Sequence, residues 1–232
     1  MGLERYADTD AVARSLAGDI AARLTRALTG RGHASLLVSG GHSPARLFDA
    51  LCTQELDWSR VVIALADERW VDPHEQSSNE RLVRERLLRE KAAAAQFVGL
   101  KNSAPSPLLG AGAAWDAFAK VPRPFDVTVL GMGDDGHTAS LIPGSPGLRA
   151  ALDPNAIPAC VAMWSRTVPH ERLSLNLSAL LGSSHISVLI LGEQKLRVYR
   201  AACAGRSVEE MPIRGILHQE RVPVEVVWAP IQ

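Results

Sequence analysis

The feature that most constrains this chain is a series of short, continuous apolar segments with helical segments between them. Five such runs stand out: ASLLVS (34–39), VVIALA (61–66), DVTVLG (126–131), HISVLILG (185–192) and VEVVWA (224–229). Strands that lack a polar alternation are buried on both faces, as in parallel sheets with helices on each side. The sequence therefore predicts an α/β fold, a three-layer α/β/α arrangement with a mainly parallel, Rossmann-like sheet.

Helices are predicted between these strands. The first covers residues 10–29, where apolar residues recur at every fourth position: Val12, Leu16, Ile20, Leu24 and Leu28. Other predicted elements are helices at 44–53, after the capping-box sequence SSNE (77–80), at 108–120 and at 193–204, and a short strand at 96–100. The Pro- and Gly-rich stretch 143–158 has strands on both sides, so we expect a loop there and a single domain over residues 1–232.

Composition excludes several classes of function. Lys and Arg number 25 and Asp and Glu also 25, which gives no general field for nucleic acid or an acidic membrane. Three cysteines are too few and too far apart for a disulfide framework or a cysteine-based zinc site. The N-terminal residues lack the apolar region of a secretory signal. We expect a cytoplasmic protein, a monomer or small homo-oligomer, with a small-molecule partner and neither nucleic acid nor membrane.

Polar groups follow the first two predicted strands, at the edge where α/β sheets bind ligands. After the first strand, Gly40 and Gly41 allow close approach of the backbone, and a helix starting near Ser43 offers free N–H groups to a phosphate. A tight turn without a ligand fits this segment equally well. After the second strand, residues 67–69 (DER) place three charges in a row. Such charges are costly unless they pair or face a cleft, and an exposed turn with an internal ion pair is the alternative.

The third predicted strand leads into the glycine-rich loop GMGDDGHTAS (131–140). Three glycines bracket two aspartates, and His137 lies at the tip of the loop. Imidazole suits general acid–base catalysis near neutral pH, and a neighbouring aspartate such as Asp135 would hold its tautomer. The loop is not a dinucleotide fingerprint, since no acidic residue ends a strand about 20 residues later. A metal site is not predicted, because His137 has no second histidine four residues on. A loop histidine without a role is the alternative.

Two cationic groups complete the pattern. Lys195 lies in the first turn of a predicted helix, where a cation is unfavourable to the helix dipole unless an anion is near. Arg172 begins a strand-like segment. Each of the two is also explained as a surface charge. Together, an anion cradle, two cations and an imidazole at one end of a sheet indicate an enzyme that acts on a small phosphorylated metabolite.

Five ordered motifs carry a family resemblance: VSGGHSP, ADERWVDPHEQSSNE, LGMGDDGHTASLIPGSP, VPHERLSLN and LGEQK. In their order and spacing, from about Leu36 to Trp228, the chain resembles the 6-phosphogluconolactonase family. The resemblance implies an α/β fold and hydrolysis of 6-phospho-D-glucono-1,5-lactone, the second step of the oxidative pentose phosphate pathway. It implies no metal and no organic cofactor.

The resemblance also implies roles for individual residues. His137 matches the family's histidine that activates water, and the other matched positions belong to the phosphate loop, the sugar pocket and the basic contacts. We expect the catalytic group to be His137, Asp135 and Arg69. We expect the substrate- and phosphate-binding group to be Gly40, Gly41, His42, Ser43, Asp67, Glu68, Arg172 and Lys195.

Two positions depart from the family pattern. His42 stands where a small hydroxyl residue is usual, which could make phosphate binding depend on pH. Ile142 stands where phenylalanine is usual. Two alternatives stay open: a related amino-sugar phosphate isomerase/deaminase, and a sugar-phosphate sensor without catalysis. The first family carries a glutamate five residues after the histidine, and this position is Ile142. Sensors of this fold are commonly fused to a DNA-binding module, for which this chain has no basic recognition helix.

Overall fold

The computed structural model describes residues 2–166 and 169–231. Val168, which opens the motif VPHERLSLN, lies outside the described residues. The described strands are β1 (Leu3–Arg5), β2 (Ala34–Val38), β3 (Val61–Leu65), β4 (Asp67–Arg69), β5 (Gln96–Val98), β6 (Val127–Leu130), β7 (Cys160–Met163), β8 (Arg172–Leu175), β9 (Ile186–Leu191) and β10 (Val224–Ala229). The described α-helices are α1 (Thr9–Arg31), α2 (Ala45–Leu51), α3 (Asn79–Arg86), α4 (Pro107–Ala117), α5 (Leu148–Ala151), α6 (Leu177–Leu180), α7 (Gly192–Ala204) and α8 (Arg214–Leu217).

Seven parallel strands form the central sheet, in the order β1-β10-β9-β6-β2-β3-β5. Every residue of β2, β3 and β6 is buried, so these strands are covered on both faces. Helix α1 packs on β2, β6 and β10, and α7 packs on β9 and β10. The predicted α/β architecture with a mainly parallel sheet and covering helices is confirmed.

The strand order reverses between β2 and β6. From β2 the chain continues outward through β3 to β5, and from β6 it continues in the other direction through β9 to β10. In open parallel sheets the crevice for a ligand lies beyond the carboxyl ends of the strands at such a reversal. The loops after β2 and β6, residues 39–43 and 131–137, leave the sheet at this point. The fold therefore brings the glycine loop and the histidine loop together.

A second, antiparallel sheet in the order β4-β8-β7 stands apart from the parallel one. Sequence patterns did not indicate β4 or β7. In the case of β4 the reason is its composition, since it consists of three charged residues. Main-chain hydrogen bonds join β8 to the segment that follows β3. The amide of Leu175 donates to the carbonyl of Ala66, and from Asp67 onward β4 pairs with β8. In the register of β4 and β8, Arg69 lies directly opposite Arg172.

The end of α1 and the start of α3 differ from the prediction. Helix α1 runs through Gly30 and ends at Gly32, whose φ of 80° suits a residue without Cβ. Helix α3 is capped by Ser78, whose Oγ accepts from the amide of Arg81, and the predicted capping box starting at Ser77 is wrong by one residue. No described helix is both long and apolar enough to cross a membrane.

Candidate active site

A cleft of about 450 Å³ lies beyond the carboxyl ends of β2 and β6. Nine of the expected site residues line it, and they come from five separate segments of the chain. These nine are Gly40, Gly41, His42, Ser43, Asp67, Arg69, His137, Arg172 and Lys195. The two remaining candidates, Asp135 and Glu68, do not line the cleft. Asp135 contacts a lining residue, and Glu68 has a different position, described below.

His137 and Asp135 form a hydrogen-bonded pair at the rim of this cleft. The Nδ1 of His137 lies 2.6 Å from Oδ1 of Asp135, and the same oxygen accepts the backbone amide of His137 at 3.0 Å. Burial acts to raise the pKa of Asp135, but its hydrogen bonds and charge interaction with His137 outweigh burial and lower this pKa to about 2. Asp135 is therefore a carboxylate at neutral pH. It accepts the Nδ1–H of His137, which leaves Nε2 as the ring nitrogen with a free lone pair.

Gly133 explains why the histidine loop needs glycine. A Cβ built at this position would lie 2.1 Å from Nδ1 of His137 and 2.5 Å from Oδ1 of Asp135. Any side chain here would displace the ring or break the pair. The backbone of Gly133 is also closed onto the loop, because its amide donates to the carbonyl of His137. The glycine thus holds the imidazole against the main chain.

The glycine loop after β2 has two different requirements. Gly41 has a φ of 97°, which strongly favours glycine. A Cβ at Gly40 would lie 2.0 Å from Oδ1 of Asn79. The amide of the Asn79 side chain donates to the carbonyl of Asp67 at 2.9 Å, so the residue that packs against Gly40 is itself tied to β4. The sequence places Asn79 only within the predicted capping box SSNE, whereas in the structure Ser78 is the cap and Asn79 lines the cleft.

Arg69 and Arg172 bring two positive charges side by side. They lie opposite each other on neighbouring strands, where like charges repel. Burial, and next the charge of Arg69, lower the pKa of Arg172. Within the described part of the chain, the buried Nε atoms of both residues lack a hydrogen-bond partner. Two partly buried guanidinium groups with unsatisfied donors are the expected arrangement for binding an anion such as a phosphate or a developing oxyanion.

Asp67 faces the cleft with the help of a serine that the sequence analysis missed. Ser140, fully buried, donates from Oγ to Oδ2 of Asp67 at 2.6 Å, and its own amide donates to Oγ of Ser174. The chain of hydrogen bonds joins the histidine loop to β4 and β8. The only sequence signal for Ser140 is its place three residues after His137.

The expectation that Glu68 lines the sugar pocket is contradicted by the structure. Side chains alternate along a strand, so Asp67 and Arg69 share one side of β4 and Glu68 lies on the other. Glu68 is 0% exposed, and its carboxylate accepts the amides of Asn79 and Glu80 and the Oγ of Ser78 at the start of α3. Burial raises the pKa of Glu68, although these hydrogen bonds act to lower it.

Lys195 reaches the cleft from the first turn of α7. Its Nζ lies 3.0 Å from Oδ1 of Asp134, which precedes Asp135 in the histidine loop. His42 is exposed at the rim, where the cleft borders a neighbouring cavity that reaches Asp10 and Arg46.

One group of described residues away from the cleft has the chemistry of metal ligands. Asp19, His185 and Glu225 lie near the amino ends of β9 and β10, with one potential ligand atom of each within 4.8 Å of the others. Arg23 already binds Asp19 with a 2.6 Å contact between Nε and Oδ2, and Nε2 of His185 lies 3.4 Å from Oε2 of Glu225. Arg23 also lies 4.0 Å from Oε2 of Glu225, so one arginine serves both carboxylates of the group, while the buried Nε2 of His185 has no hydrogen-bond partner among the described residues.

Comparisons with known proteins agree with this geometry. A curated relative from Pseudomonas aeruginosa, named 6-phosphogluconolactonase, is 44% identical over 230 residues, which is 99% of this chain and 95% of the relative. A solved structure described as a 6-phosphogluconolactonase from Shewanella baltica has a TM-score of 0.95 and 47% identity, over 98% of this chain and 97% of that one. A further structure, a putative 6-phosphogluconolactonase from Neisseria gonorrhoeae, has a TM-score of 0.89 and 39% identity over 98% of both chains.

A family model agrees with these relatives. Residues 7–228 match the model described as glucosamine-6-phosphate isomerases/6-phosphogluconolactonase, which is nearly the whole length of the chain. The match includes both loops at the reversal of strand order and both strands that carry the paired arginines. The chain belongs to the glucosamine-6-phosphate isomerase/6-phosphogluconolactonase family.

Proposed function

We propose that this protein hydrolyses 6-phospho-D-glucono-1,5-lactone to 6-phospho-D-gluconate in the oxidative pentose phosphate pathway. The observation that carries the proposal is that the His137–Asp135 pair opens onto the same cleft as three cations, Arg69, Arg172 and Lys195. The imidazole supplies acid–base chemistry, and the cations supply binding for a sugar phosphate. The names of relatives that are 40–44% identical over nearly the full chain support this substrate.

The proposed mechanism begins with water between His137 and C1 of the lactone. Nε2 of His137 takes a proton from this water as its oxygen forms a bond to C1, and Asp135 stabilises the resulting imidazolium. The tetrahedral intermediate then breaks the bond between C1 and the ring oxygen. The imidazolium returns its proton to that oxygen, which leaves as a hydroxyl group. The new carboxylic acid at C1 ionises in water at neutral pH.

The cations have two proposed tasks. Lys195 and Arg172, with the loop at Gly40 and Gly41, hold the phosphate, and this fixes the distance from C1 to the imidazole. Arg69 faces the oxygen of C1, where negative charge develops in the transition state. A preformed pair of guanidinium groups is suited to both tasks, because a bound anion adds to the partial compensation that Asp67, Glu68 and Asp135 already give Arg172.

A coupled assay tests the proposed reaction. The protein is given freshly generated lactone, the 6-phosphogluconate formed is oxidised by its dehydrogenase, and spontaneous hydrolysis is subtracted. We expect turnover far above the spontaneous rate, and a rate equal to the blank would refute the proposal. The same preparation should release no ammonia from glucosamine 6-phosphate, because the fully buried Ile142 replaces the glutamate of the deaminases.

Replacing Lys195 by alanine is expected to raise KM about ten- to a hundredfold, since charge-assisted hydrogen bonds to a phosphate contribute about 1.5–3 kcal/mol. kcat should change less, because the phosphate is remote from C1. Steady-state kinetics on Lys195→Ala and on the control Lys120→Ala, which removes an exposed lysine outside the cleft, provide the check. A KM for Lys195→Ala within about twofold of the control would remove Lys195 from the phosphate site.

We place the reaction in the cytoplasm. Cys52, Cys160 and Cys203 are all free thiols, and Cys52 and Cys160 are buried. Free cysteines are typical of proteins that work in a reducing compartment.

A further inference from the structure

Asp134 is the one residue of the histidine loop whose charge the mechanism above does not use. Its carboxylate lines the cleft, and its Oδ1 lies 3.0 Å from Nζ of Lys195. The side chain of Asp134 is 65% exposed, whereas that of Lys195 is 24% exposed. The acid is thus the more exposed member of the pair, and the lysine is the more buried one.

The other carboxylates near the cleft have partners of their own. Asp67 accepts from Ser140, and Asp135 accepts from both the ring and the amide of His137. Among residues 2–166 and 169–231, Lys195 is the cation that lies within ion-pair distance of Asp134. Asp134 is therefore bound to the cation that the sugar phosphate needs.

We propose that Asp134 is a specificity-determining residue that competes with the sugar phosphate for Lys195 and so weakens the binding of polyanions. The part of this proposal that distinguishes 6-phosphogluconate from the lactone rests on the proposed function. The lactone carries only its phosphate charge, whereas 6-phosphogluconate carries an additional carboxylate from C1. A fixed negative charge at the cleft opposes the more highly charged product more strongly than the lactone.

This competition has a use in turnover. Binding that is equally strong for substrate and product lowers KM but delays product release, and it does not raise kcat. An internal anion on Lys195 reduces such uniform binding. It also keeps the buried part of the lysine paired when the cleft holds no ligand, which lowers the cost of an unpaired, partly buried charge.

The test compares the affinities of wild type and Asp134→Asn for 6-phosphogluconate and for inorganic phosphate, by calorimetry at low salt. We expect Asp134→Asn to bind 6-phosphogluconate about three- to fivefold more tightly, as suits loss of an exposed charge pair, and to gain less for phosphate. The gain should shrink at high ionic strength. Asp116→Asn, which removes an exposed negative charge on α4 outside the cleft, should bind like wild type.

A second pair of variants identifies Lys195 as the target of the competition. In a Lys195→Gln background, adding Asp134→Asn should change the affinity by less than about half as much as in wild type. Unchanged or weaker binding by Asp134→Asn would overturn the inference and would make Asp134 a residue that positions Lys195. An equal gain in the Lys195→Gln background would overturn the competition for this lysine.

These binding measurements need no turnover, so they separate the inference from the proposed function. Wild-type protein that fails to hydrolyse the lactone, together with tighter phosphate binding by Asp134→Asn, would refute the function and keep the competition at Lys195. Wild-type protein that hydrolyses the lactone, with no tightening in Asp134→Asn, would keep the function and refute the inference.

Discussion

Replacement of His137 by asparagine is expected to lower kcat by about 10²–10⁴-fold, the usual contribution of a positioned acid–base group. Asparagine keeps a polar side chain of similar reach but neither accepts the proton of water nor returns it to the ring oxygen. KM should stay close to the wild-type value, because substrate binding rests on the phosphate and its cations. Thermal stability should also change little, since the side chain of His137 lies at the cleft and its partner Asp135, 42% exposed, can be hydrated when the ring is removed.

Three measurements on one preparation make this prediction sharp: kcat, KM and the melting temperature. His74→Asn, at an exposed loop position away from the cleft, is the matched control and should retain full activity. Folded His137→Asn protein that keeps more than about a tenth of wild-type kcat would disprove the role of general base. A large loss of stability with full activity in the folded fraction would instead make His137 a structural residue.

The central sheet could be predicted from sequence because its strands are short, apolar and continuous. The runs in β2, β3, β6, β9 and β10 carry this signal on their own, and the four-residue repeat of α1 carries another. β1 gives no such signal, since it consists of Leu3, Glu4 and Arg5 and becomes a strand only by pairing with the edge of β10. β4 likewise becomes a strand only by pairing with β8, which lies about a hundred positions later in the chain.

The candidate site shows the same division between local and long-range information. That His137 and the glycine loop would meet follows from parallel strands ending at one edge of the sheet. The side-by-side arrangement of Arg69 and Arg172 depends on an antiparallel register that no local pattern encodes. The bond from Ser140 to Asp67 spans 73 positions and is equally hidden. Glu68 was misplaced because the DER segment was treated as a loop, whereas strand alternation turns its side chain away from the cleft.

The position of Glu68 leads to the second large effect: replacing it by alanine is expected to lower the free energy of unfolding by about 3–5 kcal/mol. Oε1 accepts the amides of Arg69 and Asn79, each at 2.7 Å, and Oε2 accepts from Glu80 and Ser78. Alanine leaves these donors buried without partners and adds a cavity. In a chain of this size the melting temperature should fall by about 6–20 °C.

A graded series of variants tests this explanation by calorimetry and chemical denaturation. Glu68→Gln keeps the volume and one accepting oxygen but sets an NH₂ group against two donors, so its loss should fall between those of Glu68→Ala and the control. The control is Glu85→Gln, which removes an exposed charge on α3, the helix whose first amides Glu68 accepts. It should lower the free energy of unfolding by less than about 0.5 kcal/mol.

The pH dependence of stability provides an independent check on Glu68. Burial raises the pKa of this carboxyl in the folded state, so its contribution to stability is fully present below the unfolded pKa of about 4.3 and is lost as the pH rises through the folded value. Glu68→Gln does not titrate, and the difference in unfolding free energy between it and wild type should therefore change across this window and level off on both sides. A difference that stays constant with pH would mean that burial does not raise the pKa of Glu68 in the folded state. A Glu68→Ala protein as stable as Glu85→Gln would mean that α3 begins without the help of this carboxylate. Asn79, the first residue of α3, packs against Gly40. A Glu68→Ala protein of unchanged stability would therefore mean that the hydrogen bond from Asn79 to β4, without the carboxylate of Glu68, positions the glycine loop.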